Sequence, residues 1–302
     1  MSEAKAITLE HRGLLRVGGP DRIEFLQGIV SNDVARVTAA QSLWSAFLTP
    51  QGKFLHEFFL IAEGDSLLLD CEAARSADLA RRLKLYKLRS QVAVEDATAA
   101  FVSVALIGQD ALSRLDLPAE AGATRSFGGG FVLTDPRLPA LGARAVLPRD
   151  GAMQALADAG FTEGSLEDYD RLRIAAGVPD GSRDLEVEKS TLLESGFDEL
   201  HGVDWDKGCY MGQELTARTK YRALIKKRLM PVEIDGPLPE SGSAVTRDGK
   251  NAGVLRSGVA TEGGKTLGLA LIRLDALGEG LDGPLMIGDA EATAQKPDWA
   301  DF

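Results

Sequence analysis

The sequence predicts an α+β protein, with mixed helices and strands over residues 1–222 and a small all-β domain over residues 223–302. Three observations carry that reading. Upstream, apolar runs of strand length alternate with segments of helical period, whereas the C-terminal part keeps only short alternating runs, at 229–234, 243–247, 252–257 and 266–274. Asp248-Gly249 and Gly263-Gly264 punctuate those runs as the turns of a small barrel or sandwich do. At 302 residues the chain also exceeds what one hydrophobic core ordinarily serves, so about two domains are expected.

Gly19-Pro20-Asp21 opens the first helix, expected to run to about Val30, where Ile23, Leu26 and Ile29 or Val30 recur at helical spacing and Pro20 suits a first turn. The apolar runs 53–62 and 66–71 are joined by Glu63-Gly64-Asp65, a hairpin signal. Asp70 is then placed to cap a helix in which Leu79, Leu83 and Tyr86 share a face. Arg81, Arg82, Lys84, Lys87 and Arg89 crowd its end, and both a solvated helix surface and an anion site fit that composition. Segments 92–94, 101–107, 131–134 and 143–147 read as strands, and 150–160 as a short helix with a Gly stop. Gly128-Gly129-Gly130 enters a strand and lacks the Lys-Ser/Thr of a phosphate loop, so it reads as a turn. Ser165 and Asp168 resemble a capping box for a helix running through Leu172 and Ile174 to Gly177. The tail from Gln295 to Phe302 reads as loosely held.

With 34 Lys plus Arg against 45 Asp plus Glu, the formal charge is −11, and 44% of residues are apolar. That balance excludes a disordered or disulfide-scaffold chain and argues against broad nonspecific nucleic-acid binding. Cys71 and Cys209 are the only cysteines, and His11, His56 and His201 the only histidines. No CxxC pair or four-cysteine cage can form from them, and no metal ligands are assigned. Low cysteine usage fits a reducing compartment, and the first residues lack the apolar run of a signal peptide; together these predict a cytoplasmic protein. No stretch reaches the roughly 18 apolar residues of a membrane span.

The densest chemistry lies in Lys207-Gly208-Cys209-Tyr210-Met211-Gly212-Gln213-Glu214. Cys209 and Lys207 form the candidate reactive pair, because a cation held near a thiol favours the nucleophilic, metal-binding thiolate. A buried structural cysteine fits the same letters. Nothing in the sequence brings a histidine base to Cys209, so protease chemistry does not follow.

This octet resembles the K-G-C-[FY]-x-G-Q-E motif of the YgfZ family, folate-binding relatives of the glycine-cleavage T-protein (aminomethyltransferase) linked to iron–sulfur enzyme maintenance. Phe25-Leu26-Gln27-Gly28, Asn32-Asp33-Val34, Gln51-Gly52-Lys53, Tyr86-Lys87-Leu88-Arg89-Ser90 and Arg173-Ile174-Ala175-Ala176-Gly177 stand in the matching order, and the likeness spans roughly residues 14–273. The resemblance implies a T-protein-like three-part architecture, two interleaved mixed α/β parts plus a C-terminal β-barrel. It also implies a tetrahydrofolate ligand, or a derivative. The role implied is that of an accessory protein for iron–sulfur cluster assembly or repair in client enzymes, with client or assembly proteins as partners and an effect on tRNA modification.

Folate-contact candidates on this reading are Asn32, Asp33, Glu194, Tyr210, Gln213, Glu214 and Arg218. Carboxylates suit the donors of a reduced pterin, an aromatic wall suits its ring, and cations suit its glutamate tail. One departure bears on mechanism: Ala175 stands where the T-protein pattern has an acidic residue. The family's N-terminal catalytic aspartate has two candidates, Asp78 and Asp96, which the sequence does not rank. A folate-dependent aminomethyltransferase or demethylase is therefore the second reading. An RNA-associated module is the third, motivated by Arg218, Lys220, Arg222, Lys226, Lys227 and Arg228, with the net acidity against it.

Overall fold

In the computed structural model, which describes residues 3–222, 225–261, 263–278 and 284–301, the chain passes repeatedly between two units. One comprises Met1–Leu48, Leu55–Leu166 and His201–Met211; the other comprises Thr49–Phe54, Glu167–Leu200 and Gly212–Phe302. The expected junction between residues 222 and 223 borders residues 223 and 224, which lie outside the described residues.

The first unit is built on two sheets. Its strands in chain order are β1 (Lys5–Thr8), β2 (Arg12–Gly18), β3 (Leu43–Leu48), β4 (Phe54–Glu63), β5 (Ser66–Glu72), β6 (Ala93–Asp96), β7 (Phe101–Ile107), β8 (Thr124–Phe127), β9 (Gly130–Thr134), β10 (Ala143–Pro148) and β11 (Thr162–Glu163). Five pair in the order β3-β4-β5-β2-β6 and six in the order β11-β1-β7-β10-β9-β8. The β4–β5 hairpin closes where Gly64 supplies a φ of 55°, with Glu63 paired to Ser66. Leu14, Ile61 and Leu68 from one sheet pack with Leu133 and Val146 from the other.

Helices α1 (Arg22–Gln27), α2 (Ser76–Tyr86) and α3 (Ala152–Asp158) complete this unit. Two local expectations are corrected. α1 stops at Gly28, earlier than its apolar spacing predicts, and Val30 bridges to Phe47 instead. Asp70 does not cap α2, whose N-cap is Arg75. It lies sealed in β5, accepting from Arg12 Nε at 2.8 Å, Ser103 Oγ at 2.7 Å and Arg144 Nη2 at 3.0 Å. Burial alone would raise that carboxyl, but the two guanidiniums hold it at about 2. Arg12 also pairs with Glu57, which accepts from Trp44 Nε1 at 2.6 Å. Charges at these positions look like surface in the sequence and are the interior of the unit.

The second unit contains α4 (Leu166–Ala175), α5 (Gln213–Tyr221) and a closed barrel of β12 (Lys227–Ile234), β13 (Ala244–Arg247), β14 (Lys250–Ala260), β15 (Thr266–Arg273), β16 (Leu285–Ile287) and β17 (Ala290–Ala294). The barrel closes through pairing of β12 with β17, and Met230, Val232, Leu255, Ala270 and Ile272 fill the interior. Ile174 of α4 packs on Leu229, Val259 and Leu269. The α+β architecture ending in a barrel is thus as the sequence predicts. The C-terminal tail is not loose: Trp299 Nε1 donates to the Ala176 carbonyl at 2.6 Å and Ala300 is buried, while Phe302 lies outside the described residues. Among the described residues, no helix is long and apolar enough to cross a membrane.

Candidate functional site

Residues 207–211 form an irregular segment of the first unit, fixed on both sides of the cysteine. Before it, Lys207 Nζ donates to the carbonyls of Val30 at 2.5 Å and Asn32 at 2.7 Å, and lies 5.2 Å from the Tyr210 ring centroid. After it, Met211 N donates to the Gly28 carbonyl at 3.1 Å. Gly208 has a φ of 92°, and a Cβ there would meet nothing, so glycine serves the torsion rather than the space. Between these anchors Cys209 is exposed. Cys71 is sealed in β5 and burial pushes its thiol well up, which leaves Cys209 as the thiol available for chemistry.

The mount for this loop is the turn that follows α1. Asn32 is buried, and its Nδ2 donates to the carbonyls of Trp44 and His201, each at 2.7 Å. Its Oδ1 accepts from Asp33 N at 2.9 Å. Asp33 caps a short 3₁₀ turn by accepting from Ala35 N at 3.1 Å. Gln27 reads both segments: its Nε2 donates to Asp33 Oδ1 at 2.8 Å and to the Lys207 carbonyl at 3.3 Å, while its Oε1 accepts from Val34 N at 2.8 Å. Burial lowers the Lys207 ammonium to about 8, against the pull of Asp33 and Asp204. Its head group is engaged by two carbonyls and a ring, so Lys207 positions the segment that presents Cys209.

The structure therefore brings Asn32, Asp33, Lys207, Cys209 and Tyr210 together in one unit. Glu194, Gln213, Glu214 and Arg218 belong to the other. Glu214 and Arg218 pair at 3.0 Å on the exposed face of α5. Glu194 is half-buried in a 3₁₀ turn, and its Oε2 accepts from Thr191 Oγ1 at 2.9 Å. The basic run is broken up by pairing: Lys220 meets Asp198 at 3.0 Å, and Arg228 is buried against Glu199 at 2.7 Å. Lys226 and Lys227 are exposed.

Of the two candidate aspartates, Asp78 holds Arg81 and Arg82 at 2.6 Å each and His56 Nε2 at 3.1 Å. Burial brings that imidazole down to about 4, so it is neutral near pH 7. Asp96 accepts from Thr98 N at 2.8 Å at the edge of its sheet. Two residues not singled out from the sequence matter to the site. Gln27 is the link between α1 and the Lys207 segment. His201, at a left-handed φ of 59°, offers its carbonyl to Asn32 and lines a cavity of about 240 Å³ with Asn32, Arg36 and Trp44. A glutamine able to bond both backbone and carboxylate, just ahead of Asn-Asp, is the signal that could have found the first; none points to the second.

Fold and site together define a protein with the fold of an aminomethyltransferase T. The glycine cleavage system aminomethyltransferase T from Bartonella henselae matches with a TM-score of 0.79 over 99% of this chain and 87% of that one, at 17% identity, so it is the fold that is shared. Residues 226–302 match the CAF17 C-terminal beta-barrel domain family. The chain is 36% identical to the mitochondrial iron-sulfur cluster assembly factor IBA57 of Mus musculus, over 96% of this chain and 84% of that protein. It is 34% identical to the Homo sapiens protein of the same name over the same shares. The chain belongs to the IBA57 family.

Two expectations change accordingly. The likeness read from the octet to YgfZ proteins is refined to IBA57. The expected cytoplasmic location is overturned by relatives whose names place them in mitochondria. The physical reason is plain: few cysteines distinguish reducing from oxidising surroundings, and do not tell one reducing compartment from another.

Proposed function

We propose that this protein is an accessory factor in iron–sulfur cluster assembly, in which Cys209 offers its thiolate to a cluster or sulfur species carried by a partner protein. The observation that carries the reading is an exposed thiol on a segment pinned at both flanks. Thiolates are the groups that iron and sulfur species bind, and a pinned segment has less ordering entropy to lose on engagement. Relatives named as iron–sulfur cluster assembly factors support it. Among the described residues, no grouping of three or more His, Cys, Asp or Glu could hold a metal ion, so the remaining ligands of a shared cluster come from the partner. Client and assembly proteins are thus the expected partners, and tRNA modification falls only where a client performs it.

The test is complementation in cells lacking the endogenous factor. Cys209→Ser is expected to leave iron–sulfur enzyme activity unrestored while its melting temperature stays at the wild-type value, because the side chain is exposed. Restoration equal to wild type ends the thiol proposal.

Tetrahydrofolate, or a derivative, is the small-molecule ligand in the same reading. Glu194 fits the part: one carboxylate oxygen is oriented by Thr191, which leaves the other for pterin donors. Arg218 can exchange its exposed partner Glu214 for a glutamate tail at a cost of about 0.5 kcal/mol. Bound folate supplies one-carbon carriage, and Ala175, which has no carboxylate, favours holding the ligand over transfer chemistry. Calorimetric titration with tetrahydrofolate should give saturable heat, weakened about tenfold in Glu194→Ala by loss of a charge-assisted hydrogen bond. No heat with the wild type removes folate and leaves the role of Cys209 untouched.

A further inference from the structure

The segment that ends α2, residues 81–89, holds five cations and no carboxylate in a chain of net charge −11. Among them Leu85 and Leu88 are 65% and 86% exposed. Leu88 follows the helix C-cap, Lys87, and has a left-handed φ of 45°. Glycine is the usual residue there, because a Cβ crowds the backbone in that conformation. The chain therefore holds Leu88 against its torsional preference and leaves its side chain in water. Neither backbone geometry nor burial accounts for a leucine at that place, and strain kept without a folding benefit points to function.

Beside it lies an open cavity of about 490 Å³ between α1 and the end of α2, whose lining includes Asp21, Glu24, Phe25, Gly28, Tyr86 and Arg89. The Gly28 carbonyl is the group that accepts from Met211 N. One wall of the cavity is thus the backbone that pins the Cys209 segment. Arg81 and Arg82 bond Asp78, and Lys87 Nζ donates to the Val92 carbonyl at 3.0 Å. Lys84 and Arg89, both exposed, are the cations left to meet another molecule.

We infer that this face docks the partner that brings cluster or sulfur to Cys209, and that the partner is an acidic protein presenting apolar side chains among carboxylates. The inference rests on the proposed role of Cys209. Charge complementarity selects the partner: cations around two leucines match carboxylates around an apolar stripe, which steers encounter while the leucines supply affinity. Asp21 and Glu24 stand on the α1 side of the cavity, so the partner's carboxylates are placed against Lys84 and Arg89 on the α2 side, and an anionic membrane is the alternative that the test must separate.

The full chain is titrated with two short fluorescent helical peptides, each with leucines along one face, flanked by glutamates in one and by lysines in the other. The glutamate peptide is expected to bind about tenfold more tightly, and to lose about tenfold in Leu88→Gly and in the Lys84→Glu, Arg89→Glu double variant. Leu88→Gly is decisive because relief of the left-handed strain raises the melting temperature by about 2–4 °C while binding falls, which excludes misfolding as the cause. Equal binding of the two peptides, or unchanged binding in these variants, overturns the inference. So does Leu88-dependent retention on vesicles of phosphatidylcholine and phosphatidylglycerol, which would assign the face to lipid. In the complementation assay, Leu88→Gly and the charge reversal are expected to fail. If they restore activity while Cys209→Ser does not, the docking face falls and the thiol stands; if Cys209→Ser also restores it, the thiol falls too.

Discussion

The two halves of the segment from Lys207 to Glu214 put similar residues to opposite uses. In residues 207–211 the polar groups turn to the protein, where Lys207 spans two carbonyls and a ring and its own carbonyl accepts from Gln27. At the start of α5, Glu214 and Arg218 bond each other in water. Burial sets the value of each contact. A donor whose removal strands shielded carbonyls is worth a few kcal/mol, whereas an exposed pair one helical turn apart is worth about 0.3–0.5 kcal/mol. The first half builds a mount for a thiol, and the second keeps its charges free to change partners.

The largest test of that contrast is Lys207→Met, expected to lower unfolding free energy by about 2–3 kcal/mol in urea denaturation, since the carbonyls of Val30 and Asn32 lose their donor. Stability near wild type would collapse the distinction. Gln27→Leu comes next, at about 1–2 kcal/mol, because it unties three hydrogen bonds, two to the turn after α1 and one to the Lys207 carbonyl.

The pH dependence sharpens the picture. Folded Lys207 titrates at about 8, below the 10.5 of an ordinary lysine, so the unfolded chain keeps that proton to higher pH. This group therefore makes stability climb with pH between those two values and leaves it flat below them. The neutral amine still donates to both carbonyls. Denaturation midpoints across that window should show the climb in wild type and not in Lys207→Met. The smallest effect is reserved for Arg218→Ala, which should change stability by no more than about 0.5 kcal/mol. A larger loss would mean that the α5 pair is also structural.

Where a feature depends on local pattern, it was legible. The strand expected over 101–107 forms over those residues, because an uninterrupted apolar run bounded by turns has one way to be buried. Gly128 and Gly129 make the turn between β8 and β9 with φ of 54° and 79°, torsions that only glycine takes readily. The barrel announced itself through alternation and paired turn residues. What depended on distant partners was hidden. Asp70 finds Arg12 58 positions away and Arg144 74 away, and nothing in a strand sequence separates a sealed aspartate from a solvated cap.

The candidate site shows the same division. Cys209 and the octet stand out as letters, but the ammonium of Lys207 meets backbone 175 and 177 positions upstream, and carbonyl oxygens carry no residue name to read. Exposure of the thiol, burial of Asn32 and the linking part of Gln27 all arise from how the chain returns on itself at His201–Met211.

That return has a temporal consequence. During synthesis the turn after α1 leaves the ribosome long before the lysine that will span it, so no nascent fragment ending short of Met211 can assemble the perch. The sulfur gains its fixed stance only when the N-terminal unit receives its last strip of polypeptide. The fixed stance of the thiol is thereby tied to completion of the first unit, and shorter nascent chains lack the anchors that hold it.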